Sequence, residues 1–91
     1  MPKLTEGKTY RTDFRRAGAT GIVQVVYGNN DVHLFGSLDN ENFVLIESYT
    51  SSSIREAALC TYFKFSTSAT DPNVIDENNT TELILEETIG G

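Results

Sequence analysis

Between Phe35 and Ile46 the chain reads Phe-Gly-Ser-Leu-Asp-Asn-Glu-Asn-Phe-Val-Leu-Ile. Four turn-forming residues, Asp39, Asn40, Glu41 and Asn42, stand between two runs of strand-type residues. Asp and Asn bond their own main chain and tolerate backbone angles that most residues avoid, so such a cluster closes a hairpin. A chain that must turn back on itself here pairs Val32–Leu38 with Phe43–Tyr49 and commits its centre to antiparallel sheet.

The flanking segments carry the same period. Lys8–Phe14 alternates Tyr10, Thr12 and Phe14 with Arg11 and Asp13, which predicts a short edge strand. Ile22–Tyr27 is almost continuous in β-branched and aromatic residues and reads as a central strand buried on both faces. Ala57–Ser66 alternates Leu59, Thr61, Phe63 and Phe65 with Cys60, Tyr62 and Lys64. Thr80–Ile89 forms the last strand, with Leu83 and Leu85 opposite Ile84. Arg15–Gly21 is a small-residue break, Gly28–Asp31 a turn, and polar Thr67–Asn79 a long surface loop. Ser53 and Glu56 have capping-box spacing, so Thr50–Glu56 is either one short helical turn or a loop. The pattern predicts an all-β fold, a small antiparallel sandwich of jelly-roll type with about six strands. Residues 1–7 read as a loose arm. Residues 1–16 form the expected arm and edge strand, and residues 17–91 the sandwich.

Charge divides the chain unevenly. Residues 1–16 hold five bases (Lys3, Lys8, Arg11, Arg15, Arg16) and two acids, a net of +3, whereas the remainder holds two bases and eleven acids, a net of −9. A net charge of −6 argues against nucleic acid as the main partner. A basic segment on an acidic body suits electrostatic contact with a neighbour. No apolar run has the length of a membrane span, and Met1–Lys8 lacks the apolar core of a signal peptide, which points to assembly in a cytoplasm. The lone Cys60 offers no internal disulfide and is expected as a buried free thiol.

Reactive chemistry is sparse. One histidine, His33, lies in a predicted strand, where the ordinary role is a side chain satisfied by a neighbour; no Cys/His set suits zinc. No glycine loop suits phosphate, and nothing marks an activated serine. Asp39–Asn42 and the trio Asp71, Asp76 and Glu77 offer oxygen ligands without the EF-hand pattern, and read as turn chemistry. The chain is therefore expected to have no catalytic residues, no metal and no cofactor. Phe14, Tyr27, Tyr49 and Tyr62 serve either as core and subunit packing or as a sugar-stacking platform.

The run Phe35–Phe43 also resembles wording found in small β-sandwich proteins, in which a strand ends in Ser-x-Asp-Gly and an aromatic opens the next. Thr61-Tyr-Phe-Lys-Phe65 is similar to their aromatic-basic strand, and Glu82-Leu-Ile-Leu-Glu86 to their acid-bearing last strand. Discoidin-like carbohydrate- and lipid-binding modules share this phrasing, as do small virion proteins of tailed bacteriophages, including capsid decoration (cement) proteins. Asn40 stands where the pattern has glycine, Phe43 where tryptophan is common, and the chain is short for a discoidin module. These differences favour the virion version. That resemblance implies a structural, non-enzymatic protein in the virion, docked on the major capsid protein and on copies of itself, with a trimer as the first expectation. It implies no nucleic-acid or membrane partner. Tyr10, Arg11, Phe14, Arg15 and Arg16 become the expected contact residues, aromatics as anchors and arginines as charged contacts. The alternative is a carbohydrate-binding module using the tips Asp39–Asn42 and Asn29–Asp31 on a glycan.

Overall fold

The structure is a computed structural model that describes residues 3–11, 19–58 and 60–89. Seven strands run in the order β1 (Tyr10–Arg11), β2 (Ala19–Val26), β3 (Val32–Ser37), β4 (Val44–Tyr49), β5 (Ser53–Ala58), β6 (Tyr62–Ser66) and β7 (Glu82–Ile89). They form two antiparallel sheets, one ordered β1-β6-β3-β4 and the other β5-β2-β7. The protein is thus an all-β sandwich. Among the described strands, β3 and β4 are consecutive within one sheet, and each other consecutive pair belongs to different sheets. Inner faces meet in a core that includes Val23, Val25, Leu83 and Leu85 from one sheet and Val32, Leu34, Tyr49, Phe63 and Phe65 from the other.

The hairpin forms where the turn residues place it. Asp39 Oδ1 accepts the backbone N–H groups of Glu41 (2.9 Å) and Asn42 (2.8 Å), and its other oxygen accepts the Asn42 amide at 2.7 Å. The Ser37 hydroxyl donates to Asp39 at 2.8 Å and accepts the Asn40 N–H at 3.0 Å. Asn40 has a φ of 62°, the left-handed conformation that glycine adopts freely and asparagine tolerates. Beyond the turn the ladder passes from Phe35↔Leu45 to Leu34↔Glu47, so Ile46 is an extra residue that bends β4 against β3.

Several expectations change. Ser53–Ala58 is neither helical turn nor loop but strand β5, paired with β2 from Ser53↔Val25 to Ala58↔Thr20. Ladder hydrogen bonds with the neighbouring strand outweigh the local capping option. The single strand expected over Ala57–Ser66 is consequently divided: Ala57 and Ala58 end β5 in one sheet, and β6 begins at Tyr62 in the other. Cys60 lies in that crossing and is half-exposed rather than buried. β2 is central, but it is buried on one face only, since Val26 is 43 % exposed and Gln24 is also exposed. The strand covered on both faces is β3, where Phe35 on the outer side is as buried as Leu34 on the inner.

The N-terminal segment is a further correction. Lys3–Gly7 is not a loose arm. Leu4 is 4 % exposed within the core, and its N–H bonds the Leu83 carbonyl at 2.8 Å. The Gly7 N–H reaches the Phe65 carbonyl at 3.1 Å, and the Glu6 carboxylate accepts the Asp76 N–H and the Asn79 amide. One apolar side chain that fits the gap between the sheets, together with these hydrogen bonds, docks an otherwise polar segment. The expected boundary at 16/17 lies outside the described residues.

Candidate functional site

Of the expected contact residues, Tyr10 and Arg11 are described; Phe14, Arg15 and Arg16 lie outside the described residues. Tyr10 faces inward. Its ring stacks on Phe63 with centroids 5.6 Å apart, and its hydroxyl accepts the Thr5 N–H at 2.6 Å. It therefore anchors the N-terminal segment to its own sandwich, by the register Tyr10↔Phe63. Arg11, on the opposite side of β1, is exposed and lies over the Tyr62 ring, 6.0 Å from its centroid. Lys8, also exposed, sits 5.2 Å from the Tyr10 ring centroid. The basic end of the molecule thus presents Lys8 and Arg11 beside an edge strand.

The two tips considered for a glycan are not brought together. Asn29–Asp31 precedes β3 and Asp39–Asn42 follows it, so the six residues of β3 hold them about 20 Å apart. Their polar groups are also engaged locally. Asn29 Oδ1 accepts the Thr80 N–H at 2.9 Å, its amide donates to the Asn78 carbonyl at 2.8 Å, and the Asn30 amide donates to Asp76. Nor do the described aromatics converge: Tyr49 is buried in the core, Tyr27 donates to Asp31 beside the Asn29–Asp31 tip, and Tyr62 lies beside Arg11.

Perturbed acid–base groups have local explanations. The Asp39 carboxyl is held far below the usual carboxylate range by the N–H groups of Asn42 and Glu41, then by the Asn42 amide and the Ser37 hydroxyl. The Tyr27 phenol is raised by its hydrogen bond to Asp31. Burial, with the Glu47 carboxylate beside it, raises Tyr49 above the ordinary phenol range; its hydroxyl is a buried polar atom without a hydrogen-bond partner among the described residues. His33 Nδ1 and Ser48 Oγ lie 2.7 Å apart because the two residues are direct cross-strand neighbours. Among the described residues, no three His, Cys, Asp or Glu side chains cluster as metal ligands. The Asp71 and Asp76 side chains accept the N–H groups of Asn73 and Asn78, which is turn chemistry.

The outer face of the four-stranded sheet is partly covered. Lys64, 8 % exposed, holds its ammonium 4.2 Å from the Phe43 ring centroid and donates to Asn73 at 2.6 Å. Ser66 donates to the Val74 carbonyl. These contacts fasten the loop 67–79 over β6, and the buried lysine at an alternating strand position gave no signal in the sequence.

The outer face of β5-β2-β7 is different. Cross-strand register places Ile54, Gln24 and Ile84 in one row and Glu56, Ile22 and Glu86 in the next. The isoleucines are grouped on this face, Ile54 67 % exposed, around a hollow of about 200 Å³ that Gln24 and Glu86 also line. A second apolar hollow, about 420 Å³, opens beside the hairpin between Leu38, Val44, Gly36 and Cys60. Gly36 keeps the hollow open: a Cβ would come within 2.6 Å of Ile46 Cδ1 and 2.9 Å of Cys60 Sγ, so those side-chain ends would have to shift. Exposed apolar surface grouped in this way suits contact with another macromolecule. Sequence reading missed the isoleucine face because Ile54 sits in the stretch read as helical turn or loop.

No protein-family model matches the chain, and no curated protein or solved structure is detectably similar to it.

Proposed function

We propose that this chain is a non-catalytic structural subunit of a larger particle, in its most specific form a capsid decoration protein of a tailed phage that bridges capsid subunits. The isoleucine face of β5-β2-β7, which no described element covers, carries the reading, because β-branched residues such as Ile54 and Val26 exposed on a rigid sheet offer a preformed contact surface. Adhesion is the mechanism. Apolar area removed from water contributes about 25 cal/mol per Å² before the losses of association. A stable contact buries about 800 Å² per partner, so the isoleucine face needs recruitment of its polar rim or of the Leu38–Val44 hollow. The phage assignment draws its support from the resemblance of Phe35–Phe43 and Thr61–Phe65.

The test is co-purification. Particles from the source culture are banded on a density gradient, stripped of loosely held protein with salt, and analysed by mass spectrometry. The chain is expected in the particle band at a copy number set by the shell's symmetry. Recovery only in the unassembled fraction, with specific binding on a glycan array, refutes the structural reading.

A further inference from the structure

We infer that the outer face of β5-β2-β7 is a socket for the basic β1 end of a second copy of this chain, so that copies associate head to tail. Three observations lead there. The first is the socket's chemistry. Ile22 is flanked in its cross-strand row by Glu56 on β5 and Glu86 on β7, so two carboxylates border an apolar centre; Glu82, further along β7, is paired with Lys3 at 3.3 Å. Glu56 and Glu86 are both exposed. A ligand for such a face joins apolar surface to positive charge.

The second is the distribution of charge. Beyond residue 16 the chain has a net charge of −9, and the N-terminal sixteen residues carry +3. A second copy that approaches the Glu56–Glu86 row with its β1 end brings Lys8 and Arg11 against those carboxylates, which is complementary charge. Lys8 and Arg11 are exposed at that end, and their charged groups lie over the Tyr10 and Tyr62 rings.

The third is geometry. β1 is an edge strand of the four-stranded sheet, whereas the socket is on the far side of the other layer. Packed sheets lie about 10 Å apart, so Lys8 and Arg11 of one molecule do not reach the socket of that same molecule. The contact is therefore between molecules and heterologous, which closes into a ring or propagates as a filament according to the rotation per step. The inference rests on the reading of the isoleucine face as a contact surface but not on its virion form: association is measured on the pure protein and particle incorporation separately, so the two fail independently.

Sedimentation velocity of the full chain across micromolar to millimolar concentration provides the test. Wild type is expected to associate, and less so at high salt. The pair Glu56→Lys and Glu86→Lys is expected to weaken association by about tenfold or more, although it lowers the net negative charge. The pair Lys8→Glu and Arg11→Glu is expected to do the same. Mixing the two double variants restores complementary charge at every contact, so the mixture is expected to co-sediment as an alternating assembly. Ile54→Ser removes apolar contact without altering charge and keeps the test decisive where a charge variant fails to fold by circular dichroism. A monomeric wild type, an unaffected E56K/E86K protein, an unaffected I54S protein, or a mixture of two folded variants that stays monomeric each overturns the inference.

Discussion

Replacing Leu4 with alanine separates a docked N-terminal segment from a free one. Leu4 is 4 % exposed and belongs to the same core cluster as Leu83, Leu85 and Phe65. Buried Leu→Ala substitutions cost about 2–5 kcal/mol. The lower part of that range applies here, because Leu4 is the one apolar side chain of Lys3–Gly7 and the segment shifts locally to close part of the cavity. The loss is bounded by what holds the segment: two backbone bonds, Leu4 to Leu83 and Gly7 to Phe65, the Glu6 contacts and the Leu4 side chain itself. A cost of about 2–3 kcal/mol follows, a large part of the roughly 5–14 kcal/mol expected of a domain this size. At about 4–8 °C per kcal/mol, Tm falls by about 8–24 °C. Thermal and urea unfolding followed by circular dichroism measure it, with an unchanged m-value showing that the same structure unfolds. A fall of under about 3 °C, the size expected of a surface substitution, refutes the docking of Leu4. The same reasoning bears on truncation. Deleting residues 1–16 removes a core side chain and the Tyr10–Phe63 stack, so point substitutions at Lys8 and Arg11 are the cleaner probe of the basic end.

Tyr49→Phe removes a buried hydroxyl without a partner and is expected to leave stability unchanged or raise it by about 1 kcal/mol in urea titration. Tyr49 ionises less readily folded than unfolded, so its contribution is intact below about pH 10 and lost as pH rises further; the phenylalanine variant is expected to resist that alkaline loss. Asp39 shows the opposite sign. Its depressed acidity makes the turn's contribution complete above about pH 4 and progressively lost in stronger acid, and Asp39→Asn is expected to flatten that part of the Tm–pH curve while lowering Tm at neutrality. Gly28→Ala brings a Cβ within 2.7 Å of the Thr80 carbonyl carbon and against its side chain, so a loss of about 1–3 kcal/mol in urea unfolding is expected. Asn40→Gly relieves a left-handed backbone at an exposed turn and is expected to raise stability by a few tenths to about 1 kcal/mol.

Those parts of the fold that depend on near neighbours in the chain are readable from the residues alone. Asp39 and Ser37 supply the bonds that close the β3–β4 turn, and those partners lie within five residues of one another, so the hairpin was legible. Strict alternation located the inner faces of β6 and β7, where Phe63, Phe65, Leu83 and Leu85 are buried. The charge division between residues 1–16 and the rest is likewise a property of the string alone. Tertiary structure decided what depends on partners distant in sequence. Ser53–Ala58 became strand because β2 offered it a ladder, and Leu4 became core because a gap beside Leu83 accepts it. β2 lost burial on one face because no described element covers the three-stranded sheet on its outside, while the loop 67–79 fastens to Lys64 and Ser66 of the other sheet. The isoleucine socket combines these effects. Its residues come from three strands separated by about thirty residues each, and only cross-strand register sets Ile54, Gln24 and Ile84 side by side.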